Sequence, residues 1–157
     1  MKHVIIYTDG AAKGNPGPGG YGVVLLYNSK RKELSGGFRR TTNNRMELLG
    51  VLTGLRALKE PCMVTIYTDS KYIVDAVNQR WLFAWKRMNW IRKGNNPVMN
   101  VDMWEEIYDQ LQTHDITFKW VKGHADNKEN ERCDELASKA ALGKKLKVDS
   151  NYEDGTC

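Results

Sequence analysis

Two copies of one short phrase, IYTD, each end on an aspartate, and these two acids could act together. The copies occupy positions 6–9 and 66–69, so one strand-like run stops at Asp9 and the other at Asp69. Aspartate is disfavoured in strands, which indicates that these carboxylates serve chemistry rather than strand formation. The carboxyl ends of parallel strands lie along one edge of a sheet. The two acids therefore meet if the strands are parallel neighbours.

Two further acids, Glu47 and Asp134, lie in predicted helices that the topology could bring to the same edge. Two carboxylates about 4 Å apart repel by roughly 4 kcal/mol at an effective dielectric of about 20, and a divalent cation offsets that repulsion. Oxygen ligands without histidine or cysteine suit Mg²⁺ or Mn²⁺ rather than zinc. Shared carboxylates can hold two such ions for phosphoryl chemistry. Taken singly, each helical acid has an ordinary explanation in its own helix, so the hypothesis depends on all four converging.

His124 is the histidine whose setting suits catalysis, because it lies in a loop between two small residues just before the helix of Asp134. A histidine titrates near neutral pH. Beside a metal site that cleaves phosphodiesters, it could move a proton on the attacking water or on the leaving oxygen. His3 and His114 lack such a setting and are interpreted as structural.

The hydrophobic pattern predicts the strands and helices that must position these groups. Strands are predicted at 3–9, 21–27, 31–40, 63–69 and 116–120. Helices are predicted between residues 43 and 61, at 70–78, at 81–88, at 100–111, and from 127 to Gly143. A helix between the two aspartate strands permits the right-handed crossover that parallel neighbours require. The predicted fold class is α/β, a five-stranded mixed sheet with an antiparallel meander, then two parallel strands, and helices on both faces.

Length and composition predict one soluble domain with an anionic partner. The chain has 157 residues, which suits a single domain at 1–143; residues 144–157 lack an apolar period and are predicted to be a flexible tail. The net charge of +5 favours a polyanion such as nucleic acid. Three scattered cysteines indicate neither a disulfide framework nor a zinc site. With no secretory signal and no membrane span in the sequence, the expected location is the cytoplasm and the expected state a monomer without an obligatory protein partner.

Six segments of the sequence together carry a family resemblance. They are TDG at 8–10, GNPGPGGYG at 14–22, TTNNRMEL at 41–48, YTDS at 67–70, WVKGHA at 120–125 and NERCDELA at 130–137. In this order the chain resembles bacterial type I ribonuclease H from about residue 4 to 142. The resemblance implies the ribonuclease H-like fold and an endonuclease that hydrolyses the RNA strand of RNA–DNA hybrids with two Mg²⁺ ions, for which Mn²⁺ could substitute. By position, Asp9, Glu47, Asp69 and Asp134 match the metal-binding acids of the family, and His124 matches its mobile histidine.

The resemblance also implies contacts with the hybrid near the first long helix. Asn15, Asn43 and Asn44 match residues that lie against the minor groove, and Thr42 matches a residue near a DNA phosphate. The wide minor groove of an A-like duplex presents 2′-hydroxyls to short polar side chains, and asparagine both donates and accepts hydrogen bonds. These residues also have ordinary roles in turns and helix caps.

A basic stretch without any acid between Asp75 and Asp102 looks like the basic protrusion of the family, which grips the duplex backbone. Its tryptophans are expected to pack and its cations to bind. The substrate-binding candidates in and before this stretch are Lys71, Trp81, Lys86 and Arg87.

The chain departs from many relatives in and around the basic stretch. It carries Lys71, Ala84 and Met99 where glutamine, asparagine and lysine are frequent. These departures concern the grip on the substrate and leave the metal-binding acids unchanged.

Two other functions compete with the nuclease hypothesis. A module that binds hybrid or double-stranded RNA without cutting it would need only the basic stretch, but four acids facing a polyanion would weaken its grip. A nuclease of the same fold that acts on DNA would keep the acids, but the usual additional DNA-binding domains are absent from 157 residues.

Overall fold

A computed structural model describes residues 1–123 and 127–157 of the chain. Its strands are β1 (Lys2–Ala12), β2 (Gly17–Tyr27), β3 (Lys30–Thr41), β4 (Cys62–Thr68), β5 (Ile91–Arg92), β6 (Asn96–Pro97) and β7 (Asp115–Trp120). Five of them form one sheet in the order β3-β2-β1-β4-β7, while β5 and β6 pair in a separate hairpin.

The main sheet is mixed, as the sequence predicted. β1 pairs antiparallel with β2, and β2 with β3, whereas β1–β4 and β4–β7 are parallel. The two IYTD phrases lie side by side in identical register, with Ile6 opposite Ile66 and Tyr7 opposite Tyr67. The two tyrosine rings stack with their centroids 4.8 Å apart. The register therefore carries both strands to their aspartates at the same edge of the sheet.

Six α-helices are found among the described residues. They are α1 (Asn43–Arg56), α2 (Lys71–Asn78), α3 (Trp81–Arg87), α4 (Val101–Thr113), α5 (Lys128–Ala141) and α6 (Ser150–Glu153). The side chains of Thr42, Ser70 and Asn127 cap α1, α2 and α5 by accepting hydrogen bonds from backbone N–H groups in the first turn. Asn100 precedes α4 without a side-chain cap hydrogen bond, and its side-chain oxygen accepts a hydrogen bond from Arg45.

The helices cover both faces of the sheet. On β2, Gly22 lies against α5 while the next residue, Val23, lies against Gly54 of α1. Since successive residues of a strand point to opposite faces, α1 and α5 pack on opposite sides. The core is formed by fully buried residues of the central strands and of the helices that cover them, including Ile6, Ile66 and Leu52.

The C-terminal segment differs from the predicted flexible tail. Lys147 forms backbone hydrogen bonds with both Gly37 and Arg39 of the edge strand β3, at 3.0 and 2.9 Å. Asp149 is buried and accepts a 2.7 Å hydrogen bond from the hydroxyl of Thr41. Backbone pairing and a buried acid leave no apolar period in the sequence, which is why hydrophobic patterning missed the attachment. The assignment of residues 1–143 to a single catalytic domain stays a prediction.

No helix within residues 1–123 and 127–157 is both long enough and apolar enough to cross a membrane.

Candidate active site

Three of the predicted acids converge at the carboxyl ends of β1 and β4. Asp69 follows β4 directly, and Asp9 lies near the end of the neighbouring β1. One carboxylate oxygen from each of Asp9, Glu47 and Asp69 lies within 4.8 Å of the other two. The fourth acid, Asp134 of α5, lies close enough to Asp9 for its charge to raise the pKa of Asp9. The structure thus brings together the four acids that the sequence predicted.

Gly10 explains how Glu47 of α1 reaches the strand-end aspartates. A Cβ atom at this position would lie 2.3 Å from the backbone carbonyl carbon of Met46 and 2.4 Å from the backbone nitrogen of Glu47. No side chain fits there, so the glycine lets α1 lie directly on the end of β1. The residue after Asp9 therefore determines how closely Glu47 can approach it.

Gly22 does the same for α5 on the opposite face. It pairs with Asp9 across β1 and β2, and a Cβ at this position would lie 2.3 Å from the carbonyl oxygen of Cys133. The close approach brings Asp134, the next residue of α5, to the side of Asp9. Both glycines belong to segments that carried the family resemblance, but their packing role needs contacts that the sequence does not contain.

Burial and mutual repulsion make Asp9 and Glu47 weaker acids than usual. Burial first, and then the charges of Asp69 and Asp134, raise the pKa of Asp9 to about 8, although the backbone N–H of Gly10 donates a 2.9 Å hydrogen bond to its carboxylate. Burial, followed by the charges of Asp9 and Asp69, raises the pKa of Glu47 well above its ordinary value. The site as built by the protein alone therefore disfavours its own negative charge.

One oxygen of Glu47 supports a cation at this place. Its Oε2 atom is buried without a hydrogen-bond partner in the part of the chain that the structure describes. A buried acceptor left unsatisfied costs about 1–3 kcal/mol, and a divalent cation would satisfy it while offsetting the repulsion among the acids. The all-carboxylate donor set suits a hard cation. The residues present therefore fit the metal site that the sequence predicted.

The candidates for substrate contact near α1 also hold the local backbone together. The side-chain oxygen of Asn43 accepts a hydrogen bond from the backbone N–H of Ala12, and that of Asn15 accepts one at 3.1 Å from the backbone N–H of Asn43. Thr42 caps the helix. These contacts connect the β1–β2 turn to the start of α1, and they leave the amide NH₂ groups of Asn15 and Asn43 as possible donors. Asn44 is exposed beside them.

The basic stretch forms an aromatic cluster with exposed cations. Trp81 is 37% exposed and packs against Tyr72 and Trp85, with ring centroids 6.4 and 6.5 Å away. The Lys86 ammonium lies 5.1 Å from the ring centroid of Tyr108, in cation–π range. Arg87 is exposed at the end of α3, and Lys71 is exposed at the start of α2. Among the described contacts none joins these four candidates to the acids.

His124 lies outside the described residues, and its predicted role is not addressed by the structure. Trp120 is a residue near the site that the sequence analysis did not single out, although it begins the WVKGHA segment. Its indole N–H donates a 3.0 Å hydrogen bond to the backbone carbonyl of Asp69.

The fold and the site together define an α/β protein with a cluster of carboxylates that could hold a metal at the ends of two parallel strands. Comparisons with known proteins narrow this class of protein. The family model for RNase H matches residues 1–142. The Ribonuclease H of Syntrophus aciditrophicus is 58% identical over 152 residues, covering 97% of this chain and 88% of that relative. The Ribonuclease H of Aeromonas hydrophila subsp. hydrophila is 51% identical over 153 residues, covering 98% of this chain and 99% of that relative.

Solved structures agree with these sequence matches. LC9-RNase H1, described as a type 1 RNase H with the type 2 active-site motif, superposes with a TM-score of 0.82 at 33% identity, covering 100% of this chain and 82% of that one. LC11-RNase H1, solved in complex with an RNA/DNA hybrid, superposes with a TM-score of 0.67 at 26% identity, covering 88% and 96%. The chain belongs to the ribonuclease H family.

Proposed function

We propose that this protein is a metal-dependent endonuclease that hydrolyses the RNA strand of RNA–DNA hybrids. The observation that carries the proposal is the convergence of Asp9, Glu47 and Asp69, whose carboxylate oxygens lie within 4.8 Å of one another at the end of two parallel strands. A protein that only bound nucleic acid would gain nothing from acids placed against a polyanion. The LC11-RNase H1 structure with a bound RNA/DNA hybrid supports the hybrid as substrate.

Asp9, Glu47, Asp69 and Asp134 would hold the metal, with Mg²⁺ as the expected ion, two ions when substrate is bound, and Mn²⁺ as a substitute. When bound, such ions neutralise charge at the scissile phosphate and favour ionisation of a water. Asp9 has a central place, because it is buried and feels the charges of both Asp69 and Asp134. Glu47 approaches from α1 with one oxygen that has no hydrogen-bond partner among residues 1–123 and 127–157. The four carboxylates come from β1, α1, the residue after β4 and α5, so the site depends on the fold for its geometry.

Recognition of the RNA strand would depend on short polar side chains at the start of α1. The side-chain oxygens of Asn15 and Asn43 already accept hydrogen bonds from backbone N–H groups. Their NH₂ groups would therefore donate hydrogen bonds to the substrate. Groups of this kind suit 2′-hydroxyls and base edges in a wide minor groove. Asn44 and Thr42 would extend this surface along the hybrid.

The exposed cations of α2 and α3 would bind the phosphate backbone. Lys71, Lys86 and Arg87 are exposed, and contacts from lysine and arginine to phosphates supply affinity without reading sequence. Trp81 would contribute a partly exposed ring at the same surface. The charge of +5 for the whole chain is consistent with this task.

His124 would transfer a proton during hydrolysis, on the attacking water or on the leaving oxygen. This assignment comes from its position in the sequence before α5 and from the titration of histidine near neutral pH. The protein is further proposed to act in the cytoplasm as a monomer without an obligatory protein partner.

One cleavage assay tests the proposal. Labelled RNA–DNA hybrid, duplex RNA, duplex DNA and single-stranded RNA are each incubated with the protein in Mg²⁺ and in EDTA. We expect the parent to cleave the RNA strand of the hybrid in Mg²⁺ and not in EDTA. Asp9→Asn should not cleave the hybrid, and His124→Ala should cleave it about ten- to a hundredfold more slowly than the parent. Hybrid binding without cleavage would make the chain a binding module, and preferred cleavage of duplex DNA would make it a nuclease of another class.

A further inference from the structure

The turn that carries Asp69 is held by side chains where the backbone pairing of the sheet stops. Within the described residues, the last backbone hydrogen bond between the β4 and β7 segments runs from the N–H of Val121 to the carbonyl of Thr68, at 2.9 Å. One residue further, the carbonyl of Asp69 accepts from the indole Nε1–H of Trp120 at 3.0 Å. The N–H of Ser70 donates to the hydroxyl of Thr68 at 3.1 Å. The indole therefore extends the hydrogen-bonded pairing of the two segments by one residue beyond their backbone ladder.

Burial alone does not explain why a tryptophan stands at position 120. The residue is 49% exposed at the end of an edge strand, so a large part of its surface gains nothing from the core. Tryptophan has a single hydrogen-bond donor, and here that donor is directed to the backbone of a metal-site acid. Among the common side chains a smaller apolar residue would cover the strand end equally well but could not make this bond.

The same segment also lies close to the carboxylate of Asp69. A Cβ atom at Gly123 would lie 2.9 Å from Oδ2 of Asp69, closer than a side chain tolerates. Residues 120–123 therefore lie against Asp69 at two points: Trp120 bonds to its carbonyl, and Gly123 leaves space beside its carboxylate that a side chain would fill. A shift of the Asp69 backbone would move its carboxylate relative to Asp9 and Glu47.

We propose that Trp120 is a positioning residue for Asp69. Its indole N–H holds the Asp69 carbonyl and thereby keeps the Asp69 carboxylate where it can share a divalent cation with Asp9 and Glu47. This inference rests on the metal site of the proposed function. It assigns Trp120 no contact with the substrate, so its effect should appear in metal binding before any nucleic acid is added. Substituting a group that orients a metal ligand typically lowers metal affinity by about 10- to 100-fold. Because Trp120 bonds to the backbone of Asp69 and not to its carboxylate, we expect an effect at the lower end of this range.

Two substitutions separate the hydrogen bond from the ring. Trp120→Phe keeps an aromatic ring and removes the donor. Trp120→Gln removes the ring but carries an amide NH₂ the same number of bonds from Cβ as the indole nitrogen. If the hydrogen bond positions Asp69, the glutamine variant should resemble the parent and the phenylalanine variant should not.

The quantity to measure is the Mg²⁺ affinity of the substrate-free protein, obtained from an NMR titration of its backbone amides. We expect Trp120→Phe to weaken Mg²⁺ binding by about tenfold and Trp120→Gln to stay within about twofold of the parent. Thermal unfolding in EDTA checks that both variants are folded, which the exposure of the ring favours. Equal affinity in the parent and Trp120→Phe would overturn the proposal. So would weak binding in both variants, since the donor retained in Trp120→Gln would then have no effect.

Hybrid cleavage at saturating Mg²⁺ distinguishes a second role of the ring. A raised KM for hybrid in Trp120→Gln, with normal behaviour of Trp120→Phe, would show that the exposed ring contacts substrate and that positioning is the wrong explanation. The parent is the control for the proposed function. If the parent binds Mg²⁺ but cleaves no hybrid, the proposed function fails while the Mg²⁺ titrations still decide the role of Trp120.

Discussion

Asp9 illustrates at the scale of one residue how a functional site opposes folding. Its carboxyl group is buried, and burial together with the charges of Asp69 and Asp134 raises its pKa to about 8. In the unfolded chain the same group ionises near its ordinary pKa of about 3.9. The metal-free protein therefore bears a free-energy cost for Asp9 at neutral pH, and a bound cation would remove it.

The substitution Asp9→Asn should stabilise the metal-free protein. The folded pKa of Asp9 lies above its unfolded pKa. The contribution of Asp9 to the free energy of unfolding is therefore fully present below about pH 4, and it is lost as the pH rises toward 8. Asparagine does not titrate, so the free energy of unfolding of the variant should exceed that of the parent by up to about 5 kcal/mol at pH 8. Urea unfolding in EDTA at several pH values measures the difference.

The extra stability of Asp9→Asn should disappear as the pH approaches 4. It should also shrink when Mg²⁺ is added. Mg²⁺ should stabilise the parent by mass action and leave Asp9→Asn nearly unchanged. A variant no more stable than the parent at pH 8 in EDTA would contradict the raised pKa of Asp9.

At the scale of elements, two glycines determine how closely the helices approach the sheet at the site. Gly10 allows α1 onto the end of β1, and Gly22 allows α5 onto the facing part of β2. Each helix carries one acid, Glu47 or Asp134, into the cluster. Bidentate ion pairs between Arg31 and Glu129 and between Arg132 and Glu33 further connect α5 to the edge strand β3.

The substitution Gly10→Ala should move α1 away from the sheet. Its new methyl group would meet backbone atoms of Met46 and Glu47 at less than 3 Å, and backbone cannot rotate aside as a long side chain can. Overpacking of this kind costs about 1–3 kcal/mol, and the displacement of Glu47 should weaken Mg²⁺ binding as well. Urea unfolding and NMR titration with Mg²⁺ measure the two effects.

Gly143→Ala is the matched control for that experiment. Its added Cβ would approach a single atom, the carbonyl oxygen of Ala140, at 3.2 Å, and the residue is exposed after α5. It should leave Mg²⁺ affinity unchanged. If Gly10→Ala bound Mg²⁺ as the parent does, the close approach of α1 would not be what places Glu47.

At the scale of the whole molecule, Arg45 joins three distant parts of the chain. Its side chain is 1% exposed, and all five of its N–H groups donate hydrogen bonds to carboxylate or amide oxygens of Asn100, Asp102 and Asp149. The arginine belongs to the start of α1, its partners to the start of α4 and to the C-terminal segment. Buried charges of this kind are tolerated when every donor is satisfied.

The substitution Asp149→Ala should therefore destabilise the protein strongly. It would remove two of the hydrogen bonds of Arg45 and the acceptor of the Thr41 hydroxyl. Removing one partner of a buried ion pair costs about 3–5 kcal/mol, and Asp102 should offset part of that loss. The free energy of unfolding in urea measures the effect. Asp154→Ala, at an exposed position of the same segment, should change it by less than about 0.5 kcal/mol, and equal effects of the two substitutions would exclude a special role for Asp149.

The sequence by itself determined the class of fold and predicted the acids of the candidate site. The order of strands and helices, the two IYTD runs and the four acids are local patterns, because side-chain periods report which face of an element is buried and motifs report chemistry at fixed spacing. Those predictions are confirmed for the fold, and the convergence of Asp9, Glu47 and Asp69 agrees with them.

Only the tertiary structure decided which atoms meet. The bond from Trp120 to Asp69, the space that Gly10 and Gly22 leave for α1 and α5, and the attachment of Asp149 to Arg45 each join residues from separate segments. Such contacts depend on the register and spacing of packed elements, and they use backbone groups or single polar atoms that produce no period in the sequence. For that reason the C-terminal segment looked like a flexible tail in the sequence, while in the fold it pairs with β3 and buries an acid beside α1.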